Sequence, residues 1–133
     1  MAIILDADVI IRAEKGAFDV GAWLVSRSNE LFEVAAITVA ELWHGVERMA
    51  EPHKSRRREF LQTILAVLPI VPYTEQTAYE HARIWAELQS AGKIIGAYDL
   101  MVAATALERG SQVATFNRRH FSAVKGLRII VPS

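Results

Sequence analysis

Residues 3–10 read IILDADVI, an apolar run that is followed at once by two acidic residues. The apolar residues Ala2–Leu5 predict a buried strand, and residues 7–13 are typical of a short helix. Asp6 and Asp8 stand at the junction where this strand ends and the helix begins. The opening of the chain therefore predicts a strand-to-helix turn with two carboxylates on it.

The rest of the sequence repeats this alternation of short β-rich runs with longer helical ones. Further strands are predicted at residues 33–37, 69–71, 112–115 and 128–131. Further helices are predicted at residues 18–27, 38–49, 54–67, 75–89 and 98–108, the last ended by Gly110 as a left-handed cap. Alternating strands and helices predict an α/β fold, a three-layer α/β/α sandwich around a central, mainly parallel sheet. A length of 133 residues predicts a single domain, residues 1–133.

Composition narrows the classes of function. Basic and acidic residues balance at 15 each, so RNA contact requires a local basic patch rather than an overall positive field. The absence of cysteine excludes disulfides, thiolate zinc sites and a cysteine nucleophile, and fits a cytoplasmic protein. The opening segment lacks a basic leader and the apolar run 60–73 is too short to span a bilayer, so we expect a soluble protein with no signal peptide and no membrane contact.

Acidic residues fall where the predicted topology brings the carboxyl ends of the strands together. Asp6 and Asp8 follow the first strand, and Glu41 lies in the predicted first turn of the helix after the second. Asp99 begins the helix that leads to the fourth strand, and Asn117 follows that strand. Ligands of parallel sheets bind at this edge. The sequence therefore predicts that these groups meet at one end of the sheet.

Taken singly, each acid is better explained as a helix cap than as a catalytic group. Thr38 and Glu41 match the capping box, and Asp6 and Asp99 suit the positive end of a helix dipole. Taken together, neighbouring carboxylates repel one another and raise their own pKa values unless a cation neutralises them. Oxygen-only ligands suit Mg²⁺ or Mn²⁺, which activate water and stabilise in-line displacement at phosphorus.

Four segments together resemble the PIN-domain family, in particular the VapC toxins of bacterial toxin–antitoxin pairs. They are IILDADVI at 3–10, ITVAELWHG at 37–45, YDLMVAATA at 98–106 and TFNRRHF at 115–121. The resemblance implies a Mg²⁺- or Mn²⁺-dependent endoribonuclease that cleaves structured RNA. It also implies restraint by a cognate VapB-like antitoxin, and assembly as a homodimer or as a toxin–antitoxin hetero-oligomer.

Carried over by position, the resemblance makes Asp6, Glu41 and Asp99 the catalytic, metal-binding acids. Asn117 then stands where many family members have a fourth acid, and His120, another position that is often acidic, is not acidic either. The number of bound ions, one or two, therefore stays open. The auxiliary positions are Asn117 itself, Asp8, which adds negative charge where the family often has Ser, Thr or Asn, and Thr115, whose hydroxyl is suited to orienting ligands or water.

Two basic clusters are candidates for contact with RNA phosphates. Arg118 and Arg119 lie beside the predicted site, and their positive charge would help an acidic pocket to accept a polyanion. The second cluster is equally well explained as a solvated helix face; it comprises Arg56, Arg57 and Arg58. The sequence therefore favours the first cluster.

Two other functions stay open from the sequence. The pattern Asp6-Ala7-Asp8-Val9 also resembles the opening motif of haloacid-dehalogenase-type phosphohydrolases, with Asp6 as the nucleophile and Asp8 as the acid/base. That chemistry needs a second acidic pair near Asp99, where the sequence supplies one acid. A non-catalytic PIN-like module that binds a protein partner is the other alternative, and the retained Asp6, Glu41 and Asp99 weigh against it.

Overall fold

The predicted alternation of strands and helices extends through residues 2–133, the part of the chain that the computed structural model describes. The strands are β1 Ala2–Leu5, β2 Leu31–Ala35, β3 Ile70–Val71, β4 Gln112–Ala114 and β5 Ile129–Ile130. The α-helices are α1 Ala7–Glu14, α2 Val20–Ser26, α3 Ala36–Arg48, α4 His53–Leu65, α5 Glu75–Ser90 and α6 Ala97–Arg109. A 3₁₀ turn covers Arg118–His120.

The strands form one parallel sheet in the order β3-β2-β1-β4-β5. Side chains of β1 alternate between its faces: Ile3 and Leu5 pack with α1 to α4, and Ile4 packs with α5 and α6. This confirms the predicted α/β/α sandwich. Because every strand pair is parallel, the carboxyl ends of β1, β2 and β4 lie at the same edge of the sheet.

Helix α3 begins two residues earlier than the sequence predicts. Strand β2 ends at Ala35, which pairs with Val71 of β3, and Ile37 is already helical. The β-branched Ile37 favours a strand locally, but it packs against the core beneath α5 and α6 from the first turn of α3. Packing therefore overrides propensity here.

The earlier start of α3 makes the predicted capping box wrong. The helix N-cap is Ala35, which provides no side-chain cap, and the hydroxyl of Thr38 is buried without a hydrogen-bond partner. Glu41 is the sixth residue of α3, so it lies in the second turn and not in the first. Its carboxylate is consequently free of the capping role.

Helix α6 agrees with its predicted ends. Asp99 is its third residue, and Gly110 ends it with φ of 67°, the left-handed conformation that glycine adopts at low cost. Near the same end, Arg109 pairs with the buried Glu33 of β2 at 2.6 Å between Nη2 and Oε2. This ion pair lies away from the carboxyl edge of the sheet, because α6 runs antiparallel to the strands.

No helix within residues 2–133 combines the length and the apolar character that crossing a bilayer requires.

Candidate active site

Asp6 is fixed at the carboxyl end of β1 through both of its carboxylate oxygens. Oδ1 accepts a hydrogen bond from the backbone N–H of Ala7 at 2.9 Å, so Asp6 does cap α1 as the dipole argument predicted. Oδ2 accepts from the hydroxyl of Thr115 at 2.9 Å. The side chain is only 4% exposed, and these contacts give it one orientation.

Thr115 joins the segment after β4 to the start of α1. Its Oγ1 also lies 3.2 Å from Oδ2 of Asp8, and the backbone N–H of Asn117 donates to it at 3.0 Å. The same Asp8 oxygen accepts from the backbone N–H of Phe116 at 3.0 Å. One hydroxyl carries one proton, so Thr115 serves either Asp6 or Asp8 at a given moment.

Two carboxylate oxygens at this edge are buried and have no hydrogen-bond partner: Oδ1 of Asp8 and Oε1 of Glu41. Glu41 reaches the site from α3 and Asp99 from the first turn of α6. Buried acceptors without a donor are rare in proteins and are expensive to leave unpaired. Their presence beside Asp6 indicates a site that is completed by a positively charged or hydrogen-donating group.

The acids affect one another electrostatically. Burial raises the pKa of Asp6 to about 7, the charges of Asp8, Asp99 and Glu41 push it in the same direction, and the Thr115 hydroxyl opposes them. The pKa of Glu41 is raised by burial and then by the charges of Asp99 and Asp8. The four carboxylates therefore form one mutually repelling group, as the strand topology predicted.

The pKa of Asp8 is raised chiefly by burial, and hydrogen bonds from Phe116 and Thr115 pull it down. The pKa of Asp99 is raised by burial, against the opposing influence of His120. Each of these acids thus favours its neutral form more than an exposed carboxyl does. A nearby cation would reverse that preference.

Within residues 2–133, the acids are not arranged as a complete set of ligands around one ion. Across residues 2–133, no three His, Asp or Glu side chains are already arranged as the ligands of one ion. The chemistry of the donors nevertheless fits a hard divalent cation, because all are oxygen ligands and two of the oxygens lack partners.

Asn117 and His120 occupy the other side of the site. Nδ1 of His120 lies 3.0 Å from Oδ2 of Asp99, and its Nε2 lies 2.9 Å from Nδ2 of Asn117. The sequence predicts Asn117 as an auxiliary position and His120 as a position without an acid, and it does not predict that the two side chains meet. Their mutual contact depends on how the 3₁₀ turn faces α6, which no local pattern in the sequence reports.

The arginines of the two basic clusters have different surroundings. Arg118 and Arg119 are exposed on the 3₁₀ turn beside the acids, and Arg56 is exposed on α4. Arg58 is half-buried. Arg57 makes a two-pronged ion pair with Glu14, with both nitrogen–oxygen distances at 2.7 Å, so its guanidinium is already partnered.

A cavity of about 190 Å³ connects the Arg57 region to the acidic edge. It lies between α1, α3 and α4, and its lining includes Glu14, Glu41, Arg48 and Arg57. Glu41 thus belongs both to the acids at the sheet edge and to the lining of this cavity. The arrangement gives an acidic centre with positive charge on its rim.

Comparison with known proteins agrees with this geometry. The model of the PIN domain family matches residues 3–127. A VapC ribonuclease, Y4jK of Sinorhizobium fredii, is 36% identical over 98% of this chain and 96% of its own length. The chain belongs to the PIN-domain family, among the VapC ribonucleases.

Further relatives of this PIN domain agree in sequence and structure. The tRNA(fMet)-specific endonuclease VapC of Salmonella typhimurium is 34% identical over 72% of this chain and 71% of that protein. The crystal structure of DNA-bound VapBC from Salmonella typhimurium contains a chain that is 28% identical with a TM-score of 0.89, and the match covers 98% of each chain. The PIN-domain fold thus extends over nearly the whole chain.

Proposed function

We propose that this PIN domain, residues 1–133, is a Mg²⁺- or Mn²⁺-dependent endoribonuclease that cleaves structured RNA and is the toxin of a type II toxin–antitoxin pair. The observation that carries the proposal is the meeting of Asp6, Glu41 and Asp99 at one sheet edge. The charges of Asp99 and Glu41 help to raise the pKa of Asp6, the charge of Asp99 helps to raise the pKa of Glu41, and an oxygen of Glu41 has no partner. The similarity of this chain to a VapC ribonuclease supports the class of reaction.

Asp6, Glu41 and Asp99 would hold the ion, with Asp8 contributing charge behind them. When bound, Mg²⁺ or Mn²⁺ stabilises the phosphoryl oxygens as a Lewis acid and lowers the pKa of water. Asp6 is oriented in advance by Ala7 and Thr115, so it needs no reorganisation. Glu41 and Asp99 would contribute their carboxylates from separate helices, α3 and α6.

The exposed arginines would position the RNA. Arg118 and Arg119 stand beside the acids, where contacts to phosphates on either side of the cleaved bond offset the negative charge of the site. Arg56 and Arg58 would add weaker contacts along α4. Arg57 is the least suited of the basic residues, since Glu14 already binds its guanidinium.

The relatives support the substrate class and the partner. One is named a tRNA(fMet)-specific endonuclease, and a close structural neighbour is a VapBC complex bound to DNA. We accordingly assign a structured RNA as substrate and a VapB-like antitoxin as cytoplasmic partner. The chain would assemble as a homodimer or as a toxin–antitoxin hetero-oligomer. The cavity lined by Glu41 and Arg57 lies on the helical side of these acids and offers room for part of a ligand.

The alternative phosphohydrolase reaction is less well supported by the geometry. It requires Asp6 as the nucleophile and a second acidic pair near Asp99. The chain supplies only Asp99 at that position. A non-catalytic binding module would not explain why an oxygen of Glu41 is buried without a hydrogen-bond partner.

The experiment compares purified chain, free of antitoxin, on a folded transfer RNA and on a phosphate monoester, with Mn²⁺ or Mg²⁺ and then with chelator. We expect RNA cleavage only with the ion, and we expect Asp99→Asn to abolish it while the fold remains intact. Glu108→Gln, at the exposed far end of the same helix, is the matched control and should retain full activity. Release of phosphate without RNA cleavage would favour the phosphohydrolase, and inertness on both substrates would favour the binding module.

A further inference from the structure

Three side chains of the site contact one another in a row: Asp99, His120 and Asn117. Asn117 is the position at which the fourth acid is missing. His120 lies between Asp99 and Asn117, and both of its ring nitrogens are within hydrogen-bond distance of a neighbour, at 3.0 and 2.9 Å. Asn117 precedes the 3₁₀ turn that carries His120, and its backbone N–H is held by Thr115. The imidazole is therefore anchored at both ends although about half of its surface is exposed.

The hydrogen-bond donors and acceptors define the form of the imidazole. The amide nitrogen of Asn117 is a donor only, so Nε2 of His120 must accept from it. An imidazole that accepts at Nε2 carries its proton at Nδ1, and this N–H then donates to Oδ2 of Asp99. The two contacts therefore place the ring proton on Nδ1.

We propose that His120 is a positioning residue that holds Asp99 in place for a single divalent ion, and that the chain binds one ion rather than two. The proposal rests on the metal-dependent function proposed above. Neither nitrogen of the anchored ring has a free lone pair, so His120 supplies a hydrogen bond to Asp99 and no ligand. With Oδ2 of Asp99 occupied in this way, its other oxygen remains for the ion.

Two substitutions of similar shape test whether His120 acts through its hydrogen bond to Asp99 or merely by being a polar side chain. The amide nitrogen of asparagine takes the place of Nδ1, so His120→Asn keeps the hydrogen bond to Asp99. The amide of glutamine takes the place of Nε2, so His120→Gln keeps only the contact with Asn117. We expect Mn²⁺ binding, followed by electron paramagnetic resonance, to be near wild type in His120→Asn and about tenfold weaker in His120→Gln.

The same titration counts ions. Wild-type chain should bind one Mn²⁺, and His120→Asp, which restores an acid, should bind two. Equal Mn²⁺ affinity in wild type, His120→Asn and His120→Gln would overturn the positioning role, and two ions on the wild-type chain would overturn the single-ion assignment. Asp99→Asn is the control that should lose the ion.

A second measurement does not depend on metal. Nitrogen-15 chemical shifts of the imidazole in the metal-free chain should show a proton on Nδ1, and Asn117→Ala should mix the two tautomers. A wild-type ring with its proton on Nε2 would overturn the proposal even if RNA cleavage is metal-dependent. If the wild-type chain keeps the proton on Nδ1 but binds no Mn²⁺, the proposed metal dependence is wrong. The single-ion assignment is then wrong as well.

Discussion

The guanidinium of Arg57 occupies the space above Gly45. A Cβ built on Gly45 would lie 2.6 Å from Nη1 of Arg57, closer than two such atoms approach in proteins. The other nitrogens of this guanidinium bind the carboxylate of Glu14 at 2.7 Å. The glycine at position 45 of α3 therefore leaves room for the guanidinium of Arg57 in its ion pair between α1 and α4, and a larger residue there would displace it.

Gly45→Ala should lower the free energy of unfolding by about 1 kcal/mol, because loss of a charge-assisted pair outweighs the gain in helix propensity. In an Arg57→Met background the same substitution should stabilise the chain by about 1 kcal/mol, since only the propensity gain remains. Urea denaturation of the wild type and the three variants measures both values. The same sign in both backgrounds would show that Arg57 and Gly45 are not coupled.

The raised pKa of Asp6 predicts how stability changes with pH. The folded chain holds a proton on Asp6 up to about pH 7, whereas the unfolded chain releases it near the ordinary value of 3.8. The folded state binds more protons between these values, so stability falls as pH rises through this window. Denaturation of the metal-free chain should show a loss on the order of a few kcal/mol between these limits.

Asp6→Asn is the control for this titration. The amide cannot ionise, so most of the pH dependence within that window should disappear. Added Mn²⁺ should also flatten the wild-type curve, because the ion favours the ionised carboxylate. A wild-type stability that rises with pH across the window would contradict the assignment of the proton to Asp6.

Thr115 should tune the acidity of Asp6. Its hydroxyl donates to the Asp6 carboxylate and lowers the pKa of that group. Thr115→Val removes the donor at nearly constant volume, so the pKa of Asp6 should rise and the pH–rate profile of RNA cleavage should shift to higher pH, with activity near pH 7 reduced about tenfold.

Thr115→Ser keeps the hydroxyl and serves as the matched variant. Its pH–rate profile should stay close to that of the wild type, although it loses a methyl group from a buried position. If the serine and valine variants lose activity equally without a shift in the profile, packing and not the hydrogen bond explains the effect.

The Glu33–Arg109 pair should matter for stability and not for catalysis. Removing one partner leaves a buried charge unpaired, so Arg109→Leu should lower the free energy of unfolding by about 2 kcal/mol. Adding Glu33→Leu should recover part of the loss, because the unpaired carboxylate is then gone. RNA cleavage per folded molecule should be unchanged in both variants, and a large drop would connect this end of α6 to the active site.

Sequence patterns were sufficient to predict long elements that have a clear start or stop signal. Helix α6 is one example, since Asp99 lies in its first turn and Gly110 ends it. They were insufficient at the junction of β2 and α3, where Ile37 favours a strand locally and is helical because of its packing. An alternating order of elements also placed the acids at one edge, because a parallel sheet allows few other arrangements.

Contacts between side chains from distant segments were beyond the sequence. Arg57 and Glu14 are 43 positions apart, and their pairing depends on the crossing of α1 and α4. The contact of His120 with Asp99 likewise depends on the orientation of a 3₁₀ turn. Residue types indicate that such groups have charge to satisfy, but the identity of each partner follows only from the packed structure.

The sheet ends on two very short strands. β3 pairs with β2 through two residues, and β5 pairs with β4 through two residues. Each edge strand therefore exposes only a few unpaired backbone N–H and C=O groups. A strand from another molecule has little to pair with, which protects the chain from edge-to-edge aggregation.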